Sequence, residues 1–296
     1  MNYQRSQWLL LFAYGCSGCA GLVYQVTWTR LLTLYMGHST AAVATVVAAF
    51  MGGLGVGAVF GGRMSARIPP RRALLIYASL EIAVALAALC LPQTLDLFTP
   101  LLAWAYRDGA PGPLFPVVRL IGCFAVLLVP AMALGATFPL AARWVVRHTG
   151  SGREGGALYA ANTCGAALGA SLAGFILLPR FGMLGTTFVG AGAGLLAALA
   201  ALSVSKLEPA PSAEAEVPAA ATPQPSARSP RRQPRAASAL AGRPDDTTLA
   251  AIVLGLTGLA TFTFEITWAR TLSQIFGPTT YAFAATVSLL ICGLAV

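Results

Sequence analysis

The phrase YQVTWTRLL, which begins at Tyr24, returns little changed as FEITWARTL at Phe264. The forty residues around it, 17–56, align without a gap to residues 257–296, and fourteen of the forty positions are identical. Self-similarity over this length at a fixed offset indicates an internal repeat. The repeat unit is therefore much longer than the phrase itself.

The composition around these two copies is that of a membrane protein. The chain is 57% hydrophobic and only 10% charged, with a mean hydropathy of +0.72, which excludes an ordinary soluble domain. A helix needs about 20 apolar residues to cross a bilayer, and the apolar stretches lie at 8–29, 41–61, 73–91, 115–138, 157–178, 183–204, 248–269 and 279–296. We predict an all-α polytopic bundle with about eight transmembrane helices.

The order of these stretches predicts three domains. Residues 1–204 form a first six-helix membrane repeat, and residues 248–296 are the first two helices of a second one, as in a parallel duplication of six-helix halves. Between them, residues 205–247 are rich in Pro, Ala and Arg and contain no aromatic residue, which predicts a disordered cytoplasmic linker. Because the second repeat stops after two helices, we expect the sequence to be a fragment of a longer product.

The net charge of +9 comes mainly from arginines in alternate loops. Basic residues cluster between spans two and three, between four and five, and between six and seven. Under the positive-inside rule these loops, the linker and the N-terminus lie in the cytoplasm of a bacterial inner-membrane protein. The arginines are interleaved with Pro and Ala and lack aromatic stacking partners, so the partner is the lipid bilayer and not a nucleic acid.

Glycines at every fourth position mark helix-packing faces. Gly53, Gly57 and Gly61 follow this spacing in the second span, and Gly165 and Gly169 follow it in the fifth. On a membrane helix such spacing predicts a flat groove that a second backbone approaches closely.

Polar residues inside apolar spans are costly and are candidates for function. Glu81 lies in span three, Asn162 in span five, and Glu265 in span seven at the position where span one carries Gln25. A buried carboxylate has three interpretations: it binds a cation, relays a proton, or pairs with an arginine such as Arg119. If spans one and seven are equivalent, Gln25 and Glu265 are expected to face a cavity from opposite halves.

Arg30 and Arg270 follow Trp28 and Trp268 near the ends of their spans. We interpret each pair as an aromatic belt residue beside an arginine that extends to the interface, although both arginines remain candidate polar site residues. Cys16 and Cys19 have no His or acidic residue nearby, so they predict packing and not a metal site. No catalytic residue is predicted.

Two parts of the sequence resemble known families. The loop GGRMSARIPPRRALL at 61–75 resembles the loop after the second helix in the major facilitator superfamily, but it carries Ala66 and Pro69 where that family carries aspartate and glycine. The segments SGCAGLVYQVTWTRLLTLYMGHS, AAFMGGLGVGAVFGGR, LGATFPLAAR and GALYAANTCGAALGASLAGFILLPRFG together resemble the membrane region of bacterial fused transporter-like spermidine synthases.

The second resemblance implies a soluble aminopropyltransferase-like domain that uses decarboxylated S-adenosylmethionine and follows the membrane helices. Within residues 1–296 we find no such domain and predict no cofactor, so enzymatic activity stays open. Three functions fit the sequence: a membrane module that anchors the synthase domain and handles polyamines or related cations, a transporter of an unrelated solute, and a scaffold without transport.

Overall fold

The computed structural model shows an all-α membrane fold, as the sequence predicts, and describes residues 3–36, 40–106, 114–149, 152–207, 244–277 and 280–295. Its helices are α1 (Tyr3–Met36), α2 (Thr40–Ser65), α3 (Pro70–Ala105), α4 (Phe115–Thr149), α5 (Gly152–Leu172), α6 (Leu178–Leu207), α7 (Pro244–Phe276) and α8 (Thr280–Ala295). A short π-helical segment, Ala173–Leu177, joins α5 to α6. Most of the predicted linker, 208–243, lies outside the described residues.

Five segments of the described chain are long and apolar enough to cross a membrane, namely Tyr3–Tyr35, Val43–Ser65, Pro70–Ala105, Phe115–Val145 and Arg153–Leu207. The last holds both α5 and α6, and eight crossings stay a prediction. Large apolar side chains on these helices are exposed, such as Leu97 at 81% and Val129 at 70%. So much exposed apolar surface on the helices is expected of a protein that is surrounded by the hydrocarbon of a bilayer.

The break between the fifth and sixth predicted spans follows from one glycine near the start of α6. Gly182 has φ 65° and ψ −171° inside a run that is otherwise helical, and this region of backbone conformation is open essentially to glycine alone. The chain therefore kinks there, and the helical segments on either side are separate.

The described chain divides into two compact units: the first holds the described residues up to 207 together with 268–295, and the second holds residues 244–267. In the first unit α1 packs against α5 and α6, while α4 packs against α2 and α3, and α3 also packs against α6. Exchanging α1–α3 for α4–α6 reproduces these pairings, so the two sets of three helices pack in equivalent ways.

Helix α8 belongs to the first unit and packs against α5. The Ser171 hydroxyl donates to the Ser288 hydroxyl at 3.0 Å, and Val287 joins Val23 and Val26 of α1 in one apolar cluster. A helix that the sequence assigns to the second repeat therefore packs against the helices of the first.

The second unit contains the larger part of α7, residues 244–267. Threonine hydroxyls along it donate to backbone carbonyls one turn earlier, as Thr257 does to Val253 at 2.8 Å and Thr261 does to Thr257 at 2.9 Å. These bonds satisfy the hydroxyls within the helix, so threonine is tolerated in an apolar span.

Candidate functional site

Two glycine seams bring the helices of the first unit into close contact. In the α2–α4 seam, a Cβ on Gly57 would lie 2.8 Å from the Met132 Cα, and one on Gly61 would lie 2.7 Å from the Ala136 Cα. A Cβ on Gly53 would lie 2.5 Å from the Ala131 Cβ and 3.1 Å from the Leu128 carbonyl oxygen. A larger residue at Gly57 or Gly61 would overlap the facing backbone. The short distance between the axes of α2 and α4 therefore requires glycine at these positions.

The α1–α5 seam has the same character. A Cβ on Gly165 would lie 2.7 Å from the backbone carbon of Gly15, and one on Gly169 would lie 2.8 Å from the Cys19 Cα. Asn162 of α5 lies beside Gly18, where a Cβ would be 2.9 Å from the Asn162 backbone carbon. Asn162 is only partly buried, so the structure places this candidate at a packing contact.

The interior of the bundle also contains a buried carboxylate. Glu81 lies on α3, about 17 Å along the helix axis from Pro70, and is only 1% exposed. Its Oε1 accepts a hydrogen bond of 2.5 Å from the hydroxyl of Ser17 on α1. Its second oxygen, Oε2, has no hydrogen-bond partner among the described residues.

A second hydroxyl from α1 lies close to that oxygen. A Cβ built on Gly194 of α6 would be 3.5 Å from Glu81 Oε2 and 3.6 Å from the Tyr24 hydroxyl. Tyr24 is 1% exposed, and its hydroxyl has no partner in the described part of the chain. The missing side chain of Gly194 therefore leaves a niche that two unpartnered polar atoms face.

Tyr77 completes this group, which we call the Glu81 cluster: Ser17, Tyr24, Tyr77, Glu81 and Gly194. Tyr77 lies one helical turn before Glu81 and is fully buried, and its hydroxyl donates to the Ala13 carbonyl of α1 at 3.5 Å. The ring of Tyr24 stacks on Trp28 with centroids 5.4 Å apart. Aromatic packing thus fixes the position of the Tyr24 hydroxyl.

Glu81 has no positively charged partner among the described side chains. No arginine or lysine of these ranges forms an ion pair with it, and the guanidinium carbon of Arg119 lies 5.9 Å from the centre of the Phe115 ring instead. For Glu81 the structure therefore shows no pairing with Arg119, whereas for Glu265 pairing with an arginine stays a prediction. Binding a cation and relaying a proton remain.

Gln25 and Glu265, the two equivalent positions of the repeat, are both buried, at 1% and 4% exposure. Neither amide atom of Gln25 has a hydrogen-bond partner in the described structure. A buried amide without partners is costly, so Gln25 is a second polar position that the packing of its own unit does not satisfy. That the two residues face one cavity stays a prediction.

The arginine candidates lie in unlike surroundings. Arg30 on α1 is half-buried and Arg270 on α7 is exposed. The neighbouring tryptophans differ more strongly, since Trp28 is 1% exposed and Trp268 is 57% exposed. Interpreting Trp28 as an interfacial belt residue is therefore wrong: it lies in the core, against Phe50 at 6.0 Å between ring centroids.

The two ends of the bundle carry different polar groups. At one end Arg71 Nε donates to the Ser205 carbonyl and Arg143 Nε donates to the Ile68 carbonyl, both at 3.3 Å. At the other end the Tyr35 hydroxyl donates to Asp96 at 2.7 Å. The basic residues of the α2–α3 connection thus lie at the same end as the C-termini of α4 and α6.

Sequence reasoning identified Glu81 but missed its neighbours Ser17, Tyr24, Tyr77 and Gly194. A signal was present, because residues 17 and 24 are seven apart on α1 and residues 77 and 81 are four apart on α3, and such spacings place side chains on one helix face. Within the described ranges no three His, Cys, Asp or Glu residues are grouped as metal ligands.

Comparison with known proteins gives one match. The sequence profile of the Major Facilitator Superfamily matches residues 10–296. No curated protein and no solved structure matches the chain.

Proposed function

Because the chain belongs to the Major Facilitator Superfamily, a family of transporter-like membrane proteins, we propose that it is the membrane module of a spermidine-synthase-like protein and that it moves an amine cation. The observation that carries this proposal is Glu81, a carboxylate buried in the first unit with no cationic partner among the described residues. An uncompensated carboxylate at this depth is costly, and a positively charged ligand removes the cost.

The class of solute is supported by the resemblance of four segments to transporter-like spermidine synthases. A polyamine is a flexible cation that a carboxylate attracts, and the fused enzyme domain implied by the resemblance would act on the same class of molecule with decarboxylated S-adenosylmethionine. In this proposal the helices both anchor that domain and handle its amine.

The equivalent packing of α1–α3 and α4–α6 supports movement of the bundle. In transporters built from internal repeats, one part rocks against another around a fixed site near the bilayer midplane. Glu81 lies about a third of the way along α3 from Pro70, and it is enclosed in this conformation. A polyamine would reach it only after α1, α3 and α6 separate, so the enclosed form corresponds to a state without bound amine.

Uptake of radiolabelled spermidine into liposomes containing the complete protein tests this function. The wild-type protein is expected to raise uptake well above that of empty liposomes, and Glu81→Gln is expected to return it to that level because the amide keeps the shape and removes the charge. Asp96→Asn, the same chemical change at an exposed position of α3, is the matched control and is expected to retain uptake. Equal uptake by wild type and Glu81→Gln would contradict the proposal.

The enclosure of Glu81 favours a second candidate function. In this second function the module transports a solute unrelated to polyamines, and Glu81 binds only a small coupling cation. Absence of spermidine uptake by the wild-type protein, together with uptake of a different solute that Glu81→Gln abolishes, would select this alternative. Equal flux of all solutes with and without the protein would instead indicate a scaffold.

The basic end of the bundle supports an orientation in a bacterial inner membrane. We propose that the N-terminus and the α2–α3 connection face the cytoplasm, because Arg63, Arg67, Arg71 and Arg72 are all exposed there and basic loops stay on the cytoplasmic side. A reporter fused after Arg67 is expected to give a cytoplasmic signal, and one fused after Tyr106 an external signal. The reverse pattern would contradict this orientation.

A further inference from the structure

Two basic side chains lie where α3 begins and α6 ends. The Nε of Arg71, in the first turn of α3, donates to the Ser205 carbonyl near the end of α6 at 3.3 Å, although the arginine is exposed. Lys206 follows Ser205 directly and is exposed as well. A guanidinium has five N–H donors, and the bond to Ser205 uses one of them. Arg71 is therefore held in place and keeps donors that a ligand can use.

Both side chains lie at the polar boundary of the membrane helices. The apolar run of α3 begins at Ala73, directly after the two arginines, and that of α6 ends at Val204. The hydrogen bond from Arg71 to Ser205 places these two boundaries at one level. Since α3 has 36 residues, it is about 54 Å long and exceeds the roughly 30 Å of hydrocarbon in a bilayer. We therefore place Arg71 and Lys206 among the lipid headgroups.

Beyond this boundary, α3 and α6 expose apolar side chains. Leu75 lies one turn after Arg71 on α3 and is exposed, as is Leu86 further along the helix. On α6, Leu199 is exposed about two turns before Lys206. A molecule held by the two charges can therefore place an apolar part along these helices. Phosphate oxygens joined to acyl chains have this arrangement of polar and apolar parts.

The charge of this region distinguishes among lipid headgroups. Residues 40–80, from the start of α2 to the third turn of α3, contain no Asp or Glu, and α6 contains none either. Arg63, Arg67 and Arg72 add further exposed positive charge. An ethanolamine or choline headgroup carries an ammonium group that would meet no carboxylate of these helices. A phosphodiester without an amine is attracted by every charged group here.

We infer that an anionic phospholipid binds between α3 and α6, with its phosphate at Arg71 and Lys206 and its acyl chains along the exposed leucines. The planar guanidinium donates to the phosphate oxygens in the geometry for which arginine is suited, and the lysine contributes a second positive charge. This site is separate from the Glu81 cluster, because Arg71 lies ten residues before Glu81, or about 15 Å along α3. It does not depend on which solute the protein moves.

Native mass spectrometry of the complete protein, titrated in detergent with single lipids, tests this site. Dioleoyl phosphatidylglycerol and dioleoyl phosphatidylcholine share their acyl chains and differ in headgroup charge, so the wild type is expected to bind the former more tightly. A basic residue near the headgroups is expected to contribute about fivefold in affinity, or about 1 kcal/mol. Lys206→Gln is therefore expected to weaken phosphatidylglycerol binding about fivefold, and Arg71→Gln with Lys206→Gln about 30-fold.

The charge-matched control is Arg63→Gln with Arg67→Gln, which removes two exposed arginines from α2 and the turn after it. This variant is expected to keep most of the affinity for phosphatidylglycerol. Lys206→Gln leaves the bond from Arg71 to Ser205 intact, so its result does not depend on how the Arg71 variant folds.

Three results would overturn the inference. The first is equal affinity of the wild type for the two lipids, and the second is wild-type affinity in Lys206→Gln or equal weakening in the double variant and its control. The third is displacement of phosphatidylglycerol by an excess of inorganic phosphate, which would assign the two side chains to a free anion and not to a lipid.

Discussion

The α2–α4 seam and the Glu81 cluster lie in the same compact unit and are both buried, yet they are built in opposite ways. The seam removes side chains, so that Gly57 meets the backbone of Met132 directly. The cluster gathers side chains and leaves two polar atoms unpartnered, Glu81 Oε2 and the Tyr24 hydroxyl. The seam thus brings two backbones together, whereas the cluster contains buried polar atoms that have no partner among the described residues.

This difference distinguishes the contacts that stabilise helix packing from the residues that we propose bind the ligand. Close contact of helix backbones is a main source of stability inside a bilayer, where lipid tails are as apolar as the side chains. Unpartnered buried polar atoms reduce stability, and in the proposed function those of the Glu81 cluster contact the ligand. We therefore expect substitutions in the seam to affect assembly and substitutions in the cluster to affect ligand binding.

The largest expected effect is that of Gly57→Leu. The side chain would overlap the backbone of Met132 and force α2 away from α4, at a cost at or above the upper end of the about 1–3 kcal/mol usual for overpacking. The yield of monodisperse protein on size-exclusion chromatography is expected to fall to a small fraction of the wild type. Gly55→Leu is the control, because no atom of the described chain lies within 4 Å of a Cβ there. Equal yields for the two variants would contradict the seam.

A smaller effect is expected for Ser17→Ala. The change leaves Glu81 Oε1 without its donor, and a buried acceptor that loses its partner costs about 1–3 kcal/mol. Thermal unfolding in detergent is expected at a lower temperature than for wild type. Ser203→Ala is the matched control, since the Ser203 hydroxyl is exposed and bonds only to the Leu199 carbonyl of its own helix at 2.8 Å. The same melting temperature for both serine variants would mean that Ser17 does not support Glu81.

The smallest effect on stability is expected for Tyr24→Phe. It removes a buried hydroxyl that has no partner among the described residues, so the free energy of unfolding is expected to stay constant or rise by up to about 1 kcal/mol. Tyr35→Phe is the comparison, because it removes a hydroxyl that does donate, to Asp96 at 2.7 Å, and is expected to lower stability slightly. A marked loss of stability in Tyr24→Phe would show that its hydroxyl has a structural partner.

The sequence predicted the fold class because membrane helices leave a strong and local signal. Apolar runs of sufficient length mark helices, and all-α architecture follows from them. Glycine spacing is similarly local, and it marked the positions of α2 and α5 where the structure shows backbone contact. The partner helices, α4 and α1, were not predicted, because spacing on one helix does not reveal which neighbour it meets.

Of the five residues of the Glu81 cluster, the sequence analysis predicted only Glu81. Glu81 is conspicuous in an apolar span, whereas Ser17, Tyr24 and Tyr77 are ordinary residues in membrane helices and Gly194 is one glycine among 31. Their meeting depends on the rotation of α1, α3 and α6 about their axes, which tertiary packing decides. Trp28 shows the same limit, since the repeated phrase places a tryptophan in the core on α1 and at the surface on α7.

The measurement that tests the central claim most directly is calorimetric titration of spermidine into the purified complete protein. If the Glu81 carboxylate binds the amine cation, the wild-type protein is expected to bind spermidine, as Asp96→Asn also does, while Glu81→Gln does not. Equal spermidine affinity of the wild type and Glu81→Gln would contradict the binding of an amine at Glu81.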